Sequence, residues 1–241
     1  MRVQYRMYHE LTDKINSSSH NTSDIKQISK KVHEMKLKKL TPELASGIIN
    51  AGFDTEPREI QSLSVPKIKS GTDLILISPE GSGKTTALVI GTIQQLKKPF
   101  EEAPRAIIIT SSKEKAFEME EQFAILGKET KLRTFVAFDQ GIIQYQKDEI
   151  YDGLDVLICT PKRLTELVNI NGVPMTKISL IVMDEADTLI TNRYHSIIYR
   201  IGDGVKKAQM LIAANKWHNK FEDLSDRILK NPMIIETEEE N

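Results

Sequence analysis

The residues Ser78-Pro79-Glu80-Gly81-Ser82-Gly83-Lys84-Thr85 have the types and spacing needed to grip a chain of phosphates. The glycines let backbone N–H groups curl around phosphate oxygens. A helix opening at Lys84 adds the positive end of its dipole, Lys84 reaches the outer phosphates, and the Thr85 hydroxyl suits a magnesium ion. A second stretch, Leu180-Ile181-Val182-Met183-Asp184-Glu185-Ala186-Asp187, delivers acids at the end of an apolar run. Asp184 suits the shell of the same Mg2+, and Glu185 suits orienting and deprotonating an attacking water. An apolar run ending in acids is common by itself. Joined to the glycine-rich loop, it points to nucleoside triphosphate chemistry.

Such groups need rigid elements behind them. Short apolar runs rich in β-branched residues occur at 74–78, 106–110, 133–138, 155–160, 179–183 and 209–213. Stretches with helical spacing lie between most of them, including 84–97, 113–126 and 217–230. Buried strands alternating with crossover helices predict an α/β fold, a mostly parallel sheet with helices on both faces. Pro232 to Ile235 adds an edge strand, for a sheet of about seven strands in all. The glycine-rich loop follows the run at 74–77 and the acids follow the run at 180–183, so both fall at carboxyl ends of strands, where ligands bind in such sheets. Thr41 as N-cap and Pro42 at the first helical position predict a helix running to about Ala51. Residues 1–34, with the polar tract Asn16 to Asp24, read as a flexible tail, 35–236 as the globular domain, and 237–241 as an acidic tail.

The chain of 241 residues is 39% apolar and 28% charged, an ordinary globular composition. Its net charge of −1 gives no overall basic field, so any contact with nucleic acid has to be local. Cys159 is the single cysteine, which excludes an internal disulfide; its apolar neighbours predict a buried, inert thiol. Apolar runs are far shorter than a membrane span and Met1 to Glu10 lack an apolar leader core, so a cytoplasmic location without membrane contact is expected. The five histidines show no metal-ligand spacing. Trp217, Phe221 and Leu224 read as the buried stripe of a final helix. The basic cluster Lys30, Lys31, Lys36, Lys38 and Lys39 reads as a solvated helix face, and Asn192 to His195 as a loop.

Asp184-Glu185-Ala186-Asp187 and Gly81-Ser82-Gly83-Lys84-Thr85 resemble the signature motifs of the DEAD-box RNA helicases. Gly52-Phe53, Pro57 and Ile60-Gln61 resemble that family's adenine-reading Q motif, with one extra residue between Phe53 and Pro57. The resemblance implies that Phe53 and Gln61 meet the base, with Gln61 selecting ATP over GTP. It also implies that Glu80, Gly81, Ser82, Gly83, Lys84, Thr85 and Asp184 line the ATP·Mg2+ site. Ser111-Ser112-Lys113-Glu114-Lys115-Ala116 stands where the family has Pro-Thr-Arg-Glu-Leu-Ala, and Thr160-Pro161-Lys162-Arg163-Leu164 where it has Thr-Pro-Gly-Arg-Leu. Ser112, Lys113, Thr160, Pro161, Lys162 and Arg163 are thereby implied as contacts to the backbone of single-stranded RNA. For Lys113 and Arg163 the alternative is a solvated loop charge. The resemblance covers roughly residues 35 to 236 and implies a RecA-like P-loop domain.

Several positions depart from the family pattern. The family's motor has two RecA-like domains, and its second domain supplies arginine fingers, worth about 10³–10⁵ in rate in phosphoryl transfer. This sequence carries one such domain. Slow or partner-dependent hydrolysis by Glu185 and Lys84, weak RNA binding and no unwinding by the chain alone are therefore expected, with a protein partner supplying the second domain; a piece cut from a longer helicase is a further alternative. The family's Ser-Ala-Thr is Ala213-Ala214-Asn215, which loses two hydroxyls but leaves Asn215 to bond Asp187 for coupling. The Gly-Gly pair falls near Ala137-Phe138, where a ring would block close approach of RNA. Lys162 replaces the glycine of Thr-Pro-Gly-Arg. Glu80 brings a carboxylate beside a triphosphate, a repulsion of about 1 kcal/mol if exposed. Met35 or Leu37 stands where the family has an adenine-stacking aromatic. The alternative function is an ATP-gated, non-hydrolysing module that docks on RNA or on a ribonucleoprotein or helicase partner. The altered motifs favour that alternative, and the intact Glu185 argues against it.

Overall fold

The computed structural model describes residues 39–52, 57–100 and 102–238. The expected tail over 1–34, the basic cluster before Lys39, Met35, Leu37, Phe53 and residues 239–241 lie outside them. Helices α1 (Pro42–Asn50) and α2 (Glu59–Lys69) precede β1 (Leu74–Ile77), α3 (Lys84–Leu96), β2 (Ala106–Ile109), α4 (Lys113–Leu126) and β3 (Thr134–Ala137). Then follow α5 (Ile143–Gly153), β4 (Val156–Cys159), α6 (Pro161–Asn169), β5 (Leu180–Met183), α7 (Ala186–Thr191), α8 (His195–Gly204), β6 (Gln209–Ala214), α9 (Lys220–Arg227) and β7 (Met233–Glu236).

The seven strands form one sheet in the order β3-β4-β2-β5-β6-β1-β7, and every neighbouring pair is parallel. Strands β1, β2, β4, β5 and β6 are buried along their whole length. This explains why they read as unbroken apolar runs rather than as alternating ones. Successive residues still face opposite ways. Ile75, Ile107, Leu157, Ile181 and Ile212 pack with α5 to α9 on one face. Leu74, Leu76, Ile108, Ile158, Val182 and Leu211 pack with α1 to α4 on the other. Each fully buried aliphatic side chain contributes about 1.5–3 kcal/mol, so the sheet is held from both sides.

A buried carboxylate pins the opposite end of the sheet. Asp155, just before β4, is fully inaccessible and accepts from Arg105 Nη2 at 2.7 Å and Arg133 Nε at 3.0 Å. It also accepts from the backbone N–H groups of Phe100 and Arg133, each at 3.0 Å. Burial alone would raise its pKa, but these donors hold it below the usual carboxylate range.

Thr41 is the N-cap of α1, with Pro42 at the first helical position and Ala51 as C-cap, as expected, although its hydroxyl makes no capping bond and its backbone N–H donates to Gln94 Oε1 at 2.9 Å. Two local expectations are corrected. The final helix is shorter than the spacing predicts and leaves Trp217 outside it, 38% exposed, edge-on to the buried Phe221 at 5.6 Å. Thr237, expected in the acidic tail, extends the sheet edge: its N–H donates to Ile77 O at 3.0 Å and its hydroxyl meets Ser78 Oγ at 2.6 Å. Among the described residues no helix is long and apolar enough to cross a membrane.

Candidate nucleotide and strand-binding edge

Because all the strands run the same way, the loops after them emerge along one edge of the sheet. β1 ends in the Ser78–Gly83 loop. Gly81 and Gly83 have φ of 77° and 92°, left-handed values that cost a side chain dearly. At Gly83 space is also closed, since an added Cβ would lie 2.6 Å from Gln61 Nε2. The loop folds back on its own lysine: Lys84 Nζ donates to Ser78 O at 2.6 Å and to Pro79 O at 2.7 Å, with Ser82 Oγ at 3.4 Å. Lys84 is 6% exposed. Burial lowers its pKa from the ordinary value, and Asp184, Asp187, Glu80 and Glu185 oppose that shift. Glu80 itself is exposed.

The acids reach the same place from β5. Thr85 Oγ1 donates to Asp184 Oδ2 at 2.7 Å, and Glu185 N donates to Asp184 Oδ1 at 3.0 Å. Burial raises the Asp184 carboxyl above the usual range, while the Thr85 hydroxyl pulls it back. A buried carboxylate paired with a hydroxyl, hard oxygens beside a lysine, is a donor set that fits Mg2+. Glu185 has φ of 52°, a left-handed value unusual for a residue with a side chain, and costs of this kind gather at functional positions. Its carboxylate accepts a hydrogen bond from Ser111 Oγ, directly after β2. Asp187 Oδ1 accepts from Asn215 after β6 at 3.4 Å, through the backbone N–H rather than the side chain.

Gln61, buried on α2, accepts from Arg58 N at 3.1 Å and donates to Gly83 O at 3.4 Å, so it braces the phosphate loop directly. The other implied base contact, Phe53, lies outside the described residues. Glu80, Gly81, Ser82, Gly83, Lys84, Thr85, Asp184 and Glu185 are thus brought together, with Gln61 behind the loop.

The residues implied for RNA follow β2 and β4, beside the turn after β3. Ser112 caps α4, accepting from Lys115 N at 3.3 Å. Lys113 Nζ sits 4.4 Å from the centre of the Phe138 ring, which in turn meets Phe117 at 5.6 Å. Thr160 and Pro161 open α6, and the exposed Lys162 follows. Arg163 is not a solvated charge: it is 3% exposed, and its guanidinium donates to Gln146 Oε1 at 2.9 Å, to Gly141 O at 3.0 Å and to Asp139 O. In this structure Arg163 holds the turn after β3 in place. Sequence reasoning missed Ser111, Asp139 and Gln146. Ser111 was within view, as a hydroxyl where the family has proline; Asp139 and Gln146 carry no signal until the turn is seen folded onto Thr160 and Arg163.

The DEAD/DEAH box helicase family profile matches residues 58–216. The pre-mRNA-processing ATP-dependent RNA helicase PRP5 of Kluyveromyces lactis is 30% identical over 185 residues, 73% of this chain and 23% of that protein. The ATP-dependent RNA helicase DDX42 of Xenopus laevis is 26% identical over 229 residues, 87% of this chain and 24% of that protein. The chain therefore spans about a quarter of the length of these curated relatives. A crystal structure of a DEAD box protein from the hyperthermophile Methanococcus jannaschii has the same fold, with a TM-score of 0.77 at 20% identity over 82% of this chain and 54% of that one. With a profile match across most of the sheet and both motif-bearing loops, the chain belongs to the DEAD/DEAH box helicase family.

Proposed function

We propose that this domain binds ATP with Mg2+, hydrolyses it slowly by itself, and contacts the backbone of single-stranded RNA. Full turnover would come with a partner that supplies the second RecA-like domain. The observation that carries this reading is the 2.7 Å bond from Thr85 to Asp184, made beside the buried Lys84. In it, Thr85 and Asp184 would hold the metal, Lys84 would exchange its loop carbonyls for phosphate oxygens, and Gln61 would read the adenine edge. Mg2+, when bound, would neutralise charge on the phosphates. Glu185 would take the proton from the attacking water.

A second reading, the ATP-gated module without hydrolysis, is favoured by one feature: the Ser111 hydroxyl ties up the Glu185 carboxylate. One experiment tests both. ATP hydrolysis by the purified chain is measured with and without single-stranded RNA, beside Lys84→Ala and Glu185→Gln. Mg2+-dependent turnover that rises with RNA and disappears in both variants is expected. ATP binding without turnover supports the module, and failure to bind Mg2+·ATP at all sinks both readings.

A further inference from the structure

The turn from Phe138 to Gly141 lies against most of the groups proposed above to meet the RNA backbone. Asp139 Oδ1 accepts a hydrogen bond from Thr160 Oγ1. Asp139 Oδ2 lies 4.0 Å from Lys162 Nζ. Lys113 Nζ is parked on the Phe138 ring at 4.4 Å. A hydroxyl at a helix start, followed by an ammonium, is a combination that favours an anion. Here that anion comes from the chain itself.

We propose that Asp139 is an autoinhibitory residue, whose carboxylate fills the seat that a nucleic-acid phosphodiester would take against Thr160 and Lys162. A strand then binds only by displacing it. The inference rests on the reading of this edge as an RNA-contact surface.

The two ends of the turn differ in how firmly they are held. The main chain is fixed, because Arg163 donates to the carbonyls of both Asp139 and Gly141. The carboxylate is held loosely: the Lys162 and Asp139 side chains are 61% and 28% exposed, and an ion pair that open is weak. The side chain therefore swings aside while the turn stays put. Displacement costs mainly the charge-assisted bond from Thr160 and the repulsion between carboxylate and phosphate.

The test is fluorescence anisotropy of a labelled oligouridine at low salt, with wild type, Asp139→Asn, Asp139→Ala, Lys162→Ala and, as an equal change of charge elsewhere, Asp152→Asn. Thermal melting checks that each variant is folded. Asp139→Asn and Asp139→Ala are expected to tighten binding by about tenfold, with Lys162→Ala weakening it and Asp152→Asn near wild type. Unchanged or weaker binding in both Asp139 variants, while Lys162→Ala still weakens it, would overturn the proposal and leave the RNA site standing. A gain matched by Asp152→Asn would also overturn it, reducing the effect to net charge. If no protein binds the oligonucleotide, the RNA reading fails and the proposal falls with it.

Discussion

Thr85, on the first turn of α3, and Asp184, at the end of β5, are joined by a 2.7 Å hydrogen bond although β6 lies between their strands in the sheet. The bond brings two hard oxygens together at the carboxyl edge. Asp184→Asn is expected to abolish Mg2+-dependent ATP binding, read by titration with and without the metal.

The same carboxylate sets a pH dependence. Burial raises the Asp184 pKa, so the ionised form costs folding stability at neutral pH, and the free domain recovers that cost as pH falls through the raised value. Metal binding needs the ionised form. Mg2+·ATP affinity should therefore decline in mild acid, at higher pH than an ordinary aspartate would dictate. A flat affinity profile down to the ordinary aspartate range would contradict this.

Ser111 and Glu185 give a kinetic prediction. The Ser111 hydroxyl occupies a Glu185 carboxylate oxygen that an attacking water would need, and a hydrogen bond to a charged group is worth about 1.5–3 kcal/mol to give up. Ser111→Ala should raise kcat for ATP about tenfold with KM little changed. Single-turnover kinetics separate this from an effect on binding, and Glu185→Gln in the same background should remove the gain.

Gln61 braces the glycine-rich loop through Gly83. Gln61→Ala removes both its bonds, to Arg58 N and Gly83 O, and should cost about 1 kcal/mol of stability. On the proposed role it also weakens ATP binding more than GTP binding. Equal losses for both nucleotides would reduce Gln61 to a brace for the loop.

The framework is tested at Asp155. Its pKa is depressed in the fold, so its contribution is present above the ordinary aspartate pKa and is lost as pH falls through the lower folded value. Asp155→Ala leaves the partly buried Arg105 and Arg133 without their shared carboxylate, and should destabilise the domain by about 3–5 kcal/mol at neutral pH. Urea denaturation measures it, and the gap between variant and wild type should narrow in acid.

Much of this fold was legible because it is simple. Five of the strands are buried on both faces, so each reads as an unbroken apolar run bounded by polar residues, and with the edge strands β3 and β7 the seven runs match the seven strands. The phosphate loop and the acids were legible because left-handed glycines and strand-end carboxylates are local features. What stayed hidden was tertiary. Trp217 looks like a core residue in sequence, but it lies outside the short α9. Arg163 could be read in sequence as a solvated loop charge, but Gln146, 17 positions earlier in the chain, gives it a buried partner. Asp139 became visible only when the turn after β3 was seen against α6.

The strand order has a mechanical consequence. β2 and β5 are registered neighbours at the middle of the sheet, Ile109 beside Met183, so the loops that leave them run side by side. On one flank of this seam lie the loops after β4 and β3, and on the other those after β6 and β1. Parallel strands cannot slide without breaking every rung between them, which leaves side-chain rotation as the cheap motion. The Ser111–Glu185 hydrogen bond crosses that seam. A pull on Ser112 would reach the Glu185 carboxylate through the hydroxyl of the residue before it, with the sheet as a stationary anvil beneath it.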